Sequence, residues 1–165
     1  MLTSTGYNWR NTLNEFARTA GVLAGFCITF VALILSGKVA DSYIGVTLIK
    51  FSDVAILFFG IAASLLIAAS QLFLHAREHD VYGFSKEYED KMREKCEKEG
   101  EDWNLVKKQQ TELCKVSEMR GRKFYNAAIF AMFFGLGFAI APYNIVIALL
   151  VAGLGITLEG WQALS

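Results

Sequence analysis

The only two histidines in the chain, His75 and His79, stand four residues apart. On an α-helix that spacing puts both rings on one face, where two imidazole nitrogens can share a metal ion. Glu78 and Asp80 adjoin them, but no third ligand falls at a ligating spacing. The pair therefore reads first as polar side chains at a membrane surface and second as candidate metal ligands. The three thiols, Cys27, Cys96 and Cys114, form no CxxC pair and no even framework. They read as buried or reduced, and the last two suit a cytosolic face.

Other reactive constellations are missing from the sequence. No nucleophile stands beside a base, and no Gly-rich phosphate loop occurs. The Gly-Leu-Gly triplets at residues 135–137 and 153–155 lie in apolar runs and do not make a dinucleotide fingerprint. The expectation is a protein that is not an enzyme and needs no cofactor. Net charge is zero, which leaves no global field to attract nucleic acid.

The elements that must carry these residues are set by where the charge lies. Of 16 Lys plus Arg and 16 Asp plus Glu, 12 of each sign fall within residues 76–123, so half of that stretch is charged. The rest is nearly charge-free and 54% of the whole chain is hydrophobic, too apolar for an ordinary soluble domain of 165 residues. Uncharged runs occupy residues 19–37, 54–74 and 124–140, and a fourth apolar run, from Asn144 to about residue 161, holds only Glu159 near its end. About 20 apolar residues cross a hydrocarbon core of about 30 Å. The first run follows a long mixed-charge N-region with no clear cleavage site, so it reads as a retained span rather than a signal peptide.

The expected fold is an all-α integral membrane protein with four transmembrane helices. A cytoplasmic antiparallel helical hairpin lies between the second and third. The divisions are an N-terminal interfacial segment over residues 1–18, two spans within 19–75, the charged hairpin over 76–123, and two spans within 124–165. Fourteen Lys and Arg residues fall on the side of the termini and the middle segment, against Lys38 and Lys50 on the other. The positive-inside rule then makes both termini and the hairpin cytoplasmic.

Within the charged segment, Ser85 and Asp102 are expected N-caps, of helices over residues 86–99 and from 103 onward, with Gly121 expected to interrupt the second. Glu87 with Lys91, Glu89 with Arg93, and Glu94 with Lys98 are spaced as i, i+4 ion pairs. Phe84, Tyr88, Met92 and Cys96 on one helix, and Val106, Leu113 and Val116 on the other, form thin apolar stripes suited to helix pairing. Trp103 at the tip is the candidate docking residue for a soluble or membrane protein partner.

Between spans, close approach requires small side chains. Rows at i, i+4 spacing nominate Gly21 and Gly25, Gly60 and Ser64, Ala131 and Gly135, and Ala148 and Ala152 as helix-packing positions. Phe130, Phe133, Phe134 and Phe138 are expected to face lipid or a neighbouring subunit. Glu159, near the headgroups, is expected to pair with Arg18, Arg122 or Lys123 entering from the same side.

No ionisable group sits in the middle of any span, which disfavours a small coupled transporter. The functional expectation is a non-catalytic subunit, such as a scaffold, sensor or accessory protein. It would self-associate into a homo-oligomer in the lipid bilayer and present the hairpin to a partner. The alternative is an oligomeric ion channel or pore with the hairpin as its vestibule or gate.

Overall fold

A computed structural model describes residues 9–37, 42–44, 49–80 and 86–164, and their side chains apart from Trp9, Lys86 and everything after Thr157. The described chain is all-helical: α1 Trp9–Leu35, α2 Phe51–Glu78, α3 Lys86–Glu99, α4 Trp103–Ile140 and α5 Ile145–Leu164. α1, α2 and α4 are each long and apolar enough to cross a membrane.

Local chemistry explains where the helices begin and end. Asp102 accepts a hydrogen bond from the Asn104 amide at 2.9 Å and so caps α4. Asn144 does the same for α5, accepting from the amides of Val146 and Ile147 at 3.0 and 3.2 Å, just past the turn made by Pro142. α3 ends at Gly100, whose φ of 75° favours a residue without a Cβ. The Glu101 amide then reaches the Cys96 carbonyl at 2.9 Å and closes the last turn. Between α1 and α2, Tyr43 forms an antiparallel bridge with Lys50, whose Nζ lies 5.5 Å from the Tyr43 ring centre.

The four long helices form a row rather than a closed bundle. α2 and α4 share the largest interface, α1 packs on α2, α5 packs on α4, and α1 barely touches α4. Heptad-spaced positions make the seams. The fully buried residues of α2 are Ala55, Phe59, Ala62, Leu66, Ala69, Phe73 and Ala76, in alternating steps of four and three. α1 answers with Leu13, Ala17, Ala20, Ala24, Cys27 and Ile34, all buried in the same alternation once partly buried Val31 is counted. An average step of 3.5 residues keeps one face toward a nearly parallel neighbour over the full length of a helix.

The α2–α4 seam sets large residues against small ones. A Cβ added at Gly135 would lie 3.3 Å from the Phe59 ring, and one at Gly121 would lie 3.0 Å from the Phe73 ring. Phe59 and Phe73 are 14 residues apart, as are Gly135 and Gly121, so the helices run antiparallel in one register. Leu66 and Ala128, both fully buried, occupy the midpoint.

Several expectations change here. From Trp9 onward the segment before residue 19 is helical and continuous with the first apolar run in α1, and its Leu13 is buried. Residues 1–8 lie outside the described part. Gly121 does not interrupt α4, whose 38 residues join the charged segment to the apolar one in a single helix. It is the notch that admits Phe73.

Three of the phenylalanines of α4 face its neighbours. Phe134 lies 5.6 Å from Phe58, Phe138 stacks on Phe58 at 5.7 Å, and Phe133 meets the backbone of α5 at Gly155. On α3, Lys91–Glu87 and Lys98–Glu94 pair as expected at 2.8 and 2.7 Å. Glu89 instead reaches across to Lys107 of α4 at 2.6 Å, and Arg93 turns to Glu97 at 3.3 Å. Glu89 is oriented toward α4, where a cation on a second helix outcompetes one on its own. The expected N-cap Ser85 and stripe residue Phe84 lie outside the described residues.

Candidate functional site: the polar end of the helix row

At one end of the row the start of α1, the end of α2 and the middle of α4 converge. Leu13, Ala17, Ala69, Phe73, Ala76 and Cys114 form an apolar knot there, with Phe16 and Tyr125 packed on it. Phe16 stacks on Phe73 at 5.3 Å and meets Tyr125 edge-on at 6.2 Å. The Arg122 guanidinium lies 5.6 Å from the Phe16 ring centre and also pairs with Glu118 at 2.8 Å.

Polar side chains ring this knot. Ser70 Oγ donates to the Ala17 carbonyl at 3.0 Å, and Arg77 Nη1 donates to Asn14 Oδ1 at 3.2 Å. Both bonds tie α1 to α2. His79 Nδ1 makes a short hydrogen bond with Gln110 Oε1, tying α2 to α4, and its Nε2 is 3.2 Å from His75 Nε2. His75 Nδ1 faces Glu78 Oε2 at 3.7 Å. A groove of about 680 Å³ opens beside His75, lined in part by Gln71, Glu78 and Phe124. Among the described residues no group of three or more His, Cys, Asp or Glu converges to hold a metal ion.

Asp80 is 4% exposed, and its Oδ2 is buried with no hydrogen-bond partner among the described residues. It acts on Cys114. Burial first, then the charges of Asp80 and Glu118, push that thiol up to about 11, with Lys115 opposing. A thiol in that range stays protonated through neutral and mildly alkaline pH, and only the thiolate is nucleophilic. In folded protein at pH 8, Cys114 should therefore react with a maleimide far more slowly than after unfolding in SDS. Equal rates would show that the thiol is neither buried nor held protonated. Cys96 is buried as well, so neither native cysteine suits a topology label.

The other expected site residues are distributed as follows. Ala131 and Ala148 are buried, and Gly135 meets Phe59. Ala152 lies against Gly137, where an added Cβ would be 3.4 Å from the Ala152 Cβ. Gly21, Gly25 and Gly60 have open space where a side chain would project, and Ser64 is exposed. Trp103 is partly buried at the first turn of α4, in a cleft of about 420 Å³ shared with Glu89, Arg93, Glu97 and Lys107. Arg18 pairs with Glu15 at 3.9 Å, Lys123 is exposed, and the Glu159 side chain lies outside the described residues.

Reading the sequence placed Asp80 only as a neighbour of the histidines and did not bring Gln110, Asn14 or Phe16 to this site. Their shared position depends on how three helices sit against one another, and no local spacing encodes it. Comparison with known protein families, with curated proteins and with solved structures finds no match to this chain.

Proposed function

We propose that the chain is a non-catalytic membrane subunit that crosses the bilayer four times and binds further copies of itself through α1 and α2. It presents α3 and the first half of α4 to a partner in the cytoplasm. The observation that carries this reading is the outward direction of the glycines in the small-residue rows of α1 and α2. At Gly21 and Gly25 on α1 and Gly60 on α2, no other part of the described chain comes within 4 Å of an added Cβ. The nearby hydroxyls are already satisfied: Thr29 donates to the Gly25 carbonyl at 2.9 Å and Ser64 to the Gly60 carbonyl at 3.0 Å. Such surfaces allow a second backbone to come close in lipid, where van der Waals contact drives helix association.

Length supports the crossings. α4, with 38 residues, is about 57 Å long at about 1.5 Å per residue. A hydrocarbon core needs about 30 Å, so the charged half must project beyond it. α5, with 20 residues, is long enough to return. The Lys and Arg distribution supports a cytoplasmic side for the projection. On that projection Leu105, Leu113, Val116 and Met119 are exposed, an apolar surface that a soluble or membrane partner would cover.

Two measurements test this reading. Gly25→Leu and Gly60→Leu should shift the intact mass in nanodiscs from oligomer toward monomer while leaving the melting temperature of the single chain nearly unchanged. A monomeric parent protein would defeat the proposal. For orientation, in a chain whose cysteines are replaced by Ser, Ser42→Cys should react with an impermeant maleimide on intact cells. Gln109→Cys should react only after the cells are opened, and the reverse pattern would invert the topology.

A further inference from the structure

We propose that His75 and His79 form a two-imidazole binding site for a divalent cation of the zinc, copper and nickel class, with its remaining coordination positions open to the adjoining groove. The two Nε2 atoms are 3.2 Å apart. Two nitrogens bound at 2.0–2.1 Å to one tetrahedral zinc ion stand about 3.3 Å from each other. Helical spacing supplies this separation without distortion.

Proton placement strengthens the case. The Gln110 amide oxygen can only accept, so its bond with His79 Nδ1 places the proton on that nitrogen. His79 Nε2 then carries a lone pair, and His75 Nε2–H donates to it at 3.2 Å. Glu78 Oε2, 3.7 Å from His75 Nδ1, stands outside hydrogen-bond reach of that nitrogen. A cation that displaces the His75 proton takes up both Nε2 atoms, and His79 Nδ1, held by an amide oxygen, is oriented as ligating histidines usually are. Imidazole donors select zinc, copper and nickel over calcium and magnesium. The protein supplies two donors, so water or a second copy of the chain completes the coordination, and the half-exposed His75 beside the groove leaves room for either. This inference does not depend on the subunit role proposed above.

The test is zinc titration of the purified full chain in nanodiscs of zwitterionic lipid at pH 7.5, read by competition with a chromogenic chelator. Saturable binding at one zinc per one or two chains is expected. His75→Asn and His79→Asn should each weaken it by at least about tenfold, and Gln110→Ala by about 10-fold to 100-fold through loss of the orienting bond. Cys114→Ser should leave it unchanged. Gln71→His adds a third imidazole one turn before His75, on the exposed wall of the same groove, and should tighten binding. Two results would overturn the site: no zinc uptake above empty nanodiscs, or full affinity in both Asn variants with folding intact by circular dichroism.

Discussion

Phe73→Ala is expected to lower the stability of the folded chain by about 3–5 kcal/mol, the range found when a fully buried phenylalanine is truncated. Phe73 has no exposed surface, stacks on Phe16 of α1, and fills the notch at Gly121 of α4. One ring thus holds three helices at the level where the polar site assembles. Its loss leaves a void facing Gly121, which has no side chain to refill it. Leu74→Ala, next in sequence but exposed, provides the control and should cost well under 1 kcal/mol. Unfolding in mixed micelles with rising SDS would measure both. Similar losses for Phe73 and Leu74 would mean that α2 is rotated from the orientation described. Gly121→Leu added to Phe73→Ala should recover part of the deficit, because the new side chain grows into the void.

The junction of α4 and α5 is expected to be equally sensitive, and for the opposite reason. A Cβ at Gly155 would fall 2.6 Å from the Phe133 Cβ, an atom fixed to the α4 backbone and unable to swing away. Gly155→Ala should therefore push the helices apart and cost about 1–3 kcal/mol, and Gly155→Leu should free α5 from the row. Gly153 lies two residues earlier with nothing within 4 Å, so Gly153→Leu should be nearly neutral. Limited proteolysis of α5 and the same SDS titration would read the contrast. If the two leucine variants behave alike, α5 does not dock on α4 through this face. A Cβ added at Gly137 in the same interface would lie 3.2 Å from the Ala148 carbonyl oxygen, so enlargement there should also be resisted.

Much of the local structure was legible in residue order. Helix α3 spans Lys86–Glu99, as its charges and the following glycine imply, because Gly100 relieves the left-handed turn. Asp102 and Asn144 cap helices where their short polar side chains precede helical runs. The Pro142 turn separates α4 from α5. These features depend on a residue and its next few neighbours, and so they survive whatever the rest of the chain does.

Which faces meet was decided by tertiary structure alone. Small residues at strict i, i+4 spacing drift about 40° around a helix at each step, since 3.6 residues complete a turn. A row that starts inward at Ala17 therefore points away from the chain by Gly21 and Gly25. The seams that formed instead alternate steps of three and four, joining large Phe59, Leu66 and Phe73 to small Gly121, Ala128 and Gly135. Each half of that pattern lies on a different helix, and only docking reveals that they match. For the same reason the histidine pair could be named from its spacing, while Gln110, 31 residues further along, could not be identified as the group that orients it. Helix formation follows from local propensity and apolar length. The choice of partner face follows from volumes that become complementary only once two helices share a register.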